Sequence, residues 1–138
     1  MIELAHMATG VLVGTRCSGP ADALVAGVAL HAIGDMTPHG EVDDRSFEVG
    51  STAVGILALA ARYGPRSPVL WGAIGAVLPD VEHVLPRRLR EATGPLFPTH
   101  RFSWLHNNGP LAVPAWLQVL GGGAVLGGLL ARRRPRSR

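Results

Sequence analysis

The stretch Pro110-Leu-Ala-Val-Pro-Ala-Trp-Leu-Gln-Val-Leu-Gly-Gly-Gly-Ala-Val-Leu-Gly-Gly-Leu-Leu-Ala131 carries no charged side chain. It reaches the ~20 apolar residues that a helix needs to cross a bilayer. The basic run Arg132-Arg-Arg-Pro-Arg-Ser-Arg138 follows at once, and arginines beside an apolar helix mark its cytoplasmic end. Working back toward the N-terminus, four shorter apolar segments cover residues 4–14, 23–34, 49–61 and 69–78. None alternates with a period of two, so the pattern predicts helices and no sheet. The breaks between them are clear. Ser18-Gly19-Pro20 ends the first helix and Asp22 is expected to cap the second. Pro38 and Gly40 end the second, and an acidic loop follows with Glu41, Asp43, Asp44 and Glu48. Tyr63-Gly64-Pro65-Arg66-Ser67-Pro68 parts the third from the fourth. Pro79 and Pro86 bracket the end of the fourth, and an arginine-rich connection leads to the fifth. The expected fold is all-α, a compact bundle of about five short membrane helices. Residues 1–131 would form one helical membrane domain and 132–138 a basic cytoplasmic tail.

Composition agrees with that reading. Of the 138 residues, 47% are hydrophobic and only 17% charged, against roughly 25% charged in ordinary soluble domains. The net charge of +3 comes mainly from the arginine tail, so nothing resembles a nucleic-acid footprint. Membrane lipid is the expected partner, and the number of chains in the assembly is left open. Cys17 is the single cysteine, which excludes a disulfide framework or a cysteine metal knuckle within one chain. Met1-Ile2-Glu3-Leu4 lacks a basic n-region, so no removable signal peptide is expected. Gly10-x-x-x-Gly14 and Gly123-x-x-x-Gly127 fit close helix packing.

The chemistry lies in the histidines. Five of the six fall in three clusters: His31-Ala-Ile-Gly-Asp35-Met-Thr-Pro-His39, Leu78-Pro-Asp80-Val-Glu82-His83 and His100-Arg101-Phe-Ser-Trp-Leu-His106. The sixth, His6, lies in the first apolar segment. The apolar segments that carry or flank the clusters are built mainly of Ala, Gly, Val and Leu. Burying imidazoles and carboxylates there is costly unless a partner or a cation satisfies them. His31 and Asp35 are four apart and Asp80 and His83 three apart, so each pair shares a helix face. His39 folds back after Pro38, and a loop brings His100 and His106 inward. Without thiolates the donor set suits zinc, manganese or iron, with zinc foremost. The candidate metal ligands are His6, His31, Asp35, His39, Asp80, His83, His100 and His106. They exceed the needs of one ion, so either two metals bind or some of these residues support the ligands from behind. Glu82 points away from Asp80 and His83 in a regular helix, as a supporting partner or a general base.

Strict alternation of the helices across a membrane would place the start of the first, the ends of the second and fourth, and the start of the fifth on one side. All the clusters would then meet on one face, opposite the arginine tail. Trp104 and Trp116 would anchor at the membrane interface. Arg87, Arg88, Arg90 and Arg101 lie in the connection between Asp80/His83 and His100/His106. Guanidinium forks suit phosphate oxygens, so Arg87, Arg88 and Arg101 are candidates for substrate binding; contact with lipid headgroups or a plain solvated loop would need the same residues.

The Leu-Pro-Asp-Val-Glu-His run, followed by His100-Arg101 and His106, resembles a bacterial family of small inner-membrane proteins described as membrane-bound metal-dependent hydrolases. That family carries Leu-Pro-Asp-x-Asp-His, then His-Arg-Gly-x-Thr-His-Ser, and an early histidine. Asp80, His83, His100 and His6 match those positions. Glu82 replaces an Asp, and His106 comes at a longer spacing. The segment from His31 to His39 is also similar to one in related small membrane proteins of unassigned function. The resemblance covers about half the chain. It implies a multi-pass helical metalloprotein of the bacterial cytoplasmic membrane and a hydrolase. From the residues themselves, Glu82 or a spare histidine would accept a proton, and the arginines beside a site at headgroup depth point to a phosphoester of a lipid or lipid-linked molecule as substrate. The competing reading is a non-catalytic membrane protein in which a metal, or a His/Asp network alone, ties helix ends together. A carrier of metal or protons is a poorer fit, because the helix middles hold no ionisable groups.

Overall fold

The computed structural model describes residues 1–105, 109 and 111–132. They are all-helical, as the apolar pattern predicts. The five long helices are α1 (Glu3–Gly14), α2 (Pro20–Met36), α3 (Arg45–Tyr63), α4 (Pro68–Val77) and α8 (Ala115–Ala131). The arginine-rich connection is itself helical in pieces: α5 (Val81–Val84), α6 (Arg87–Thr93), α7 (Pro98–Arg101) and a 3-10 turn at Ser103–Leu105.

Local chemistry sets most boundaries. Asp44 caps α3 by accepting from the Phe47 amide at 3.0 Å, and the Ser67 hydroxyl accepts from the Val69 amide to start α4. Gly64, at φ 87°, ends α3 in a conformation that favours glycine. Asp22 does not cap α2: Gly19 is the N-cap and Pro20 the first helical residue, a place where its missing N–H costs nothing. Asp22 instead accepts from the Ser18 hydroxyl at 2.6 Å.

The longest apolar run is only partly helical. Pro114 stands at the N-cap of α8, because a proline inside a helix clashes with the turn before it and disfavours helix in its predecessor. Val113 pairs as an isolated bridge with residues 38–40, after the end of α2: its amide donates to the Pro38 carbonyl at 3.0 Å, and the Gly40 amide donates to the Val113 carbonyl at 2.9 Å. Gln118 fastens the same corner, donating to the carbonyls of Gly40 and Val113. The 17 residues of α8 therefore extend about 26 Å at 1.5 Å per residue, short of a ~30 Å hydrocarbon core. Among the described residues no helix is long and apolar enough to cross a membrane, so the expectation of a full span at residues 110–131 is not met.

The core gathers around α1, which packs against α2, α3, α4 and α8. Met7, Val11, Leu59, Leu70, Ala73 and Leu126 meet there. Helices α1 and α4 approach to backbone contact: a Cβ on Gly10 would overlap the Gly72 carbonyl, and a Cβ on Gly72 would overlap that of Gly10. The first glycine pair thus packs as its spacing predicts. The second does not, since Gly123 and Gly127 face open space. Large apolar side chains remain on the outer faces, among them Val25, Ile33, Val54, Leu57, Trp116 and Leu120.

Candidate metal centre

Close packing of α1, α2 and α4 brings one end of each helix to a common point. His6 enters from the first half of α1, and His31 and Asp35 from the last turns of α2. All three are 1% exposed. The α4–α5 junction adds Asp80 and, three residues on, His83; α7 adds His100. Asp35 sits among three imidazoles: its Oδ1 is 3.2 Å from His6 Nε2, and its Oδ2 is 3.0 Å from His31 Nε2 and 3.4 Å from His100 Nε2. Asp80 Oδ1 lies 3.2 Å from His100 Nε2 and 3.7 Å from His83 Nε2. Its Oδ2 is 3.7 Å from a nitrogen of His31. The rings of His6 and His31 stack with centroids 4.0 Å apart.

Two imidazoles are held from behind. His31 Nδ1 lies 2.8 Å from the Ala76 carbonyl, a bond that the ring must donate, so its Nε2 lone pair is left facing Asp35. His100 Nδ1 lies 2.7 Å from Glu82 Oε1, which turns His100 Nε2 toward both aspartates. A carboxylate or carbonyl behind a histidine fixes its tautomer and raises its basicity as a ligand. Burial alone would depress the pKa of His100, but its bonds to Asp35, Asp80 and Glu82 outweigh burial and push it up to about 10. Burial also opposes ionisation of Asp80, and the His100 bond with the nearby imidazoles still holds its carboxyl below the usual range.

Glu82 is a structural prop more than a free base. Its Oε2 accepts from the amides of Leu96 and Phe97 at 2.7 and 3.2 Å, and Oε1 is taken by His100. Against burial, those amides and His100 keep it ionised. It is 7% exposed. These bonds suit the supporting role that the helix geometry also allowed.

The other expected residues are placed as follows. His39 is buried beside the cluster, but Nδ1 bonds the Thr37 carbonyl at 2.7 Å and Nε2 meets the Met1 amino group. Among the described residues the groupings whose donor atoms converge within 4.8 Å are His6/His31/Asp80, His31/Asp35/His100 and Asp80/His83/His100, and His39 is in none of them. His106 lies outside the described residues. Arg87 pairs with Glu91 at 2.6 Å on an exposed face. Arg88 and Arg101 are exposed too, and none of these three arginines lines the cavity described next.

The cluster opens on one side to a cavity of about 570 Å³. Asp35, Asp80, His83 and His100 form its floor, and Glu3 and Glu48 contribute to a wall. Arg45, Arg90 and Met1, with its amino terminus, also line it, as do the carboxylates of Glu41, Asp43 and Asp44; Arg45 donates to the His83 carbonyl. Glu3 and Arg45 were not singled out in the sequence. Glu3 carried a signal, being three residues before His6 and so on the same helix face. Arg45 carried none, because its role depends on how α3 docks.

The donor set passes a test for a divalent cation. His6 Nδ1 is buried without a hydrogen-bond partner, while His6 Nε2 and Asp35 Oδ2 make close ionic contacts of 3.0–3.4 Å within the cluster but no aligned hydrogen bond. Orphaned buried polar atoms are costly. Ring nitrogens of His6, His31 and His100 and the carboxylates of Asp35 and Asp80 converge in overlapping groups of three; with His100 neutral, such groups offer the donors that a zinc-type ion requires. No protein-family model, curated protein or solved structure matches this chain.

Proposed function

We propose that this chain is a metal-dependent hydrolase working in contact with lipid. The observation that carries the reading is that the His/Asp cluster forms the floor of an open cavity. A cluster serving only to join helices has no need of that access. When bound there, a divalent cation would supply Lewis acidity for activating water. The chain's own residues do the rest. The Ala76 carbonyl and Glu82 hold His31 and His100 in the tautomers that present Nε2. Asp35 and Asp80 supply the negative charge that draws a cation in. Arg90 and Arg45 face the cavity and suit the oxygens of an anionic group such as a phosphoester. Lipid contact is supported by the apolar side chains on the outer faces of α2, α3 and α8, with Trp116 61% exposed at the start of α8. The Leu-Pro-Asp-Val-Glu-His resemblance points the same way.

The test is release of phosphate or headgroup from a mixed-lipid panel by protein stripped with chelator and reloaded with zinc or manganese. Activity should appear on reloading and fall by about a thousandfold in Asp80→Asn, as expected on losing a group at the reacting centre. Turnover that survives Asp80→Asn would belong to a contaminant. Flotation with liposomes checks the lipid contact separately.

One observation favours a second reading, a non-catalytic network. His100 in its charged form bonds Asp35, Asp80 and Glu82 and would neutralise much of the cluster without metal. Purified protein free of divalent metal, and unable to take it up, would select this reading.

A further inference from the structure

We propose that the cluster holds two cations side by side: a buried one on His6, His31 and Asp35, and one at the cavity floor on Asp80, His83 and His100. The proposal rests on the metal reading above and deepens it. His100 Nε2 belongs to two of the converging groupings, one with His31 and Asp35 and one with Asp80 and His83. An imidazole nitrogen has a single lone pair and serves one ion. Given to the outer group, His100 completes it, and the inner group is left with His31 and Asp35. His6, which converges with His31 in the grouping that also takes Asp80, then supplies the third inner ligand. Its Nε2 is 3.2 Å from Asp35 Oδ1 and buried without a hydrogen-bond partner.

The carboxylates are disposed to bridge. Asp35 turns Oδ1 to His6, while Oδ2 faces both His31 and His100. Asp80 turns Oδ1 to His83 and His100, and it also converges with His6 and His31 in a grouping whose donor atoms lie within 4.8 Å of one another. Each therefore touches both halves, as in paired sites whose ions lie about 3.5–4 Å apart. Six donors divide three and three, and each ion keeps positions for water or substrate.

The two halves differ in access. His6, His31 and Asp35 are 1% exposed, whereas His83 is 56% exposed. The inner group meets the cavity only through Asp35, whereas all three outer residues line it. A chelator should strip the outer ion first.

Manganese is the probe. Full-length protein, loaded with Mn²⁺ and desalted, is measured by elemental analysis and by electron paramagnetic resonance. The expected result is two ions per chain with the broadened spectrum of a coupled pair. His83→Ala should halve the metal and give the six-line spectrum of an isolated ion; His83 is exposed enough for its loss to leave the core intact. His6→Gln should likewise halve the metal, with circular dichroism confirming the helical fold. Wild-type protein that saturates at one ion overturns the pair and leaves the metal reading standing. His83→Ala that still binds two ions also overturns it. Wild-type protein that binds none overturns both.

Discussion

The two halves of the centre are built by opposite means. His6, His31 and Asp35 stand on long, regular helices and are positioned mainly by packing, with one added bond from His31 to the Ala76 carbonyl. No dedicated bond fixes His6 in place; α1 is located by backbone contact with α4 at Gly10 and Gly72 and by Met7 and Val11 in the core. Asp80, His83 and His100 stand on helices of one turn or at their junctions, which pack too little surface to be fixed that way. Their positions come from individual hydrogen bonds: Glu82 to His100 and to the amides of Leu96 and Phe97, and Arg45 to the His83 carbonyl. The buried half therefore fails when packing fails, and the exposed half when a single polar group is removed.

The largest effect should come from the packing side. Gly72→Val places a Cβ against the Gly10 carbonyl, a backbone atom that cannot swing aside. Overpacking of this kind costs about 3 kcal/mol or more, and it would displace α1 and hence His6. Denaturant unfolding followed by circular dichroism should show that loss, with metal binding lost as well. A variant that unfolds at the wild-type midpoint would mean that the α1–α4 contact does not position the buried half.

Next comes the polar side. Glu82→Ala removes the acceptor behind His100 and leaves two amides unpaired. Loss of such a partner weakens metal binding about 10–100-fold, and the change should show in metal titrations while the unfolding midpoint moves little. Were Glu82 the general base, Glu82→Gln would keep full metal affinity and abolish turnover. The two outcomes separate the supporting role from the catalytic one.

How much of this was legible in the sequence follows the same division. The apolar segments located the five long helices to within a few residues, because their edges are set by local signals: Asp44 and Ser67 as caps, Gly64 and Pro68 as breaks. The histidine and aspartate spacing on α2 and at the α4–α5 junction gave the donor groups. The span expected at residues 110–131 was not legible, because hydropathy counts apolar residues and ignores that Pro114 and the pairing of Val113 with residues 38–40 delay the helix. The role of Glu82 was only half legible: its direction off the Asp80/His83 face could be read, but its partners come from residues 96, 97 and 100 across a loop. The stacking of His6 on His31 is a tertiary fact with no local trace.

A smaller and more diagnostic effect concerns pH. In chelator-stripped protein, His100 is held charged by three carboxylates, with its pKa raised from 6.5 to about 10. The folded state therefore binds that proton more tightly than the unfolded chain. The stabilisation is whole below about pH 6.5 and is lost as the pH climbs through about 10. The denaturation midpoint of stripped protein should fall over that interval. Metal-loaded protein should not follow it, since a cation takes the neutral imidazole and its binding strengthens as ligands lose protons. Parallel curves for the two forms would mean that His100 is not a ligand.

The smallest effect distinguishes arginines that look alike in the sequence. Arg87 is 84% exposed and paired with Glu91 in the i, i+4 relation. An exposed pair of that kind contributes little, because water screens it and the long side chains lose freedom in making it. Arg90, one helical turn away, lines the cavity. For a phosphoester substrate, Arg90→Ala should raise KM several-fold with kcat nearly unchanged, since the guanidinium would hold the bound anion before and during reaction alike. Arg87→Ala should leave KM, kcat and metal content as in wild type. Equal effects from both would indicate a diffuse attraction between the basic connection and an anionic lipid surface. In that case added salt should weaken both variants and wild type together. A KM change confined to Arg90, and persisting with a short water-soluble phosphoester, places the contact inside the cavity.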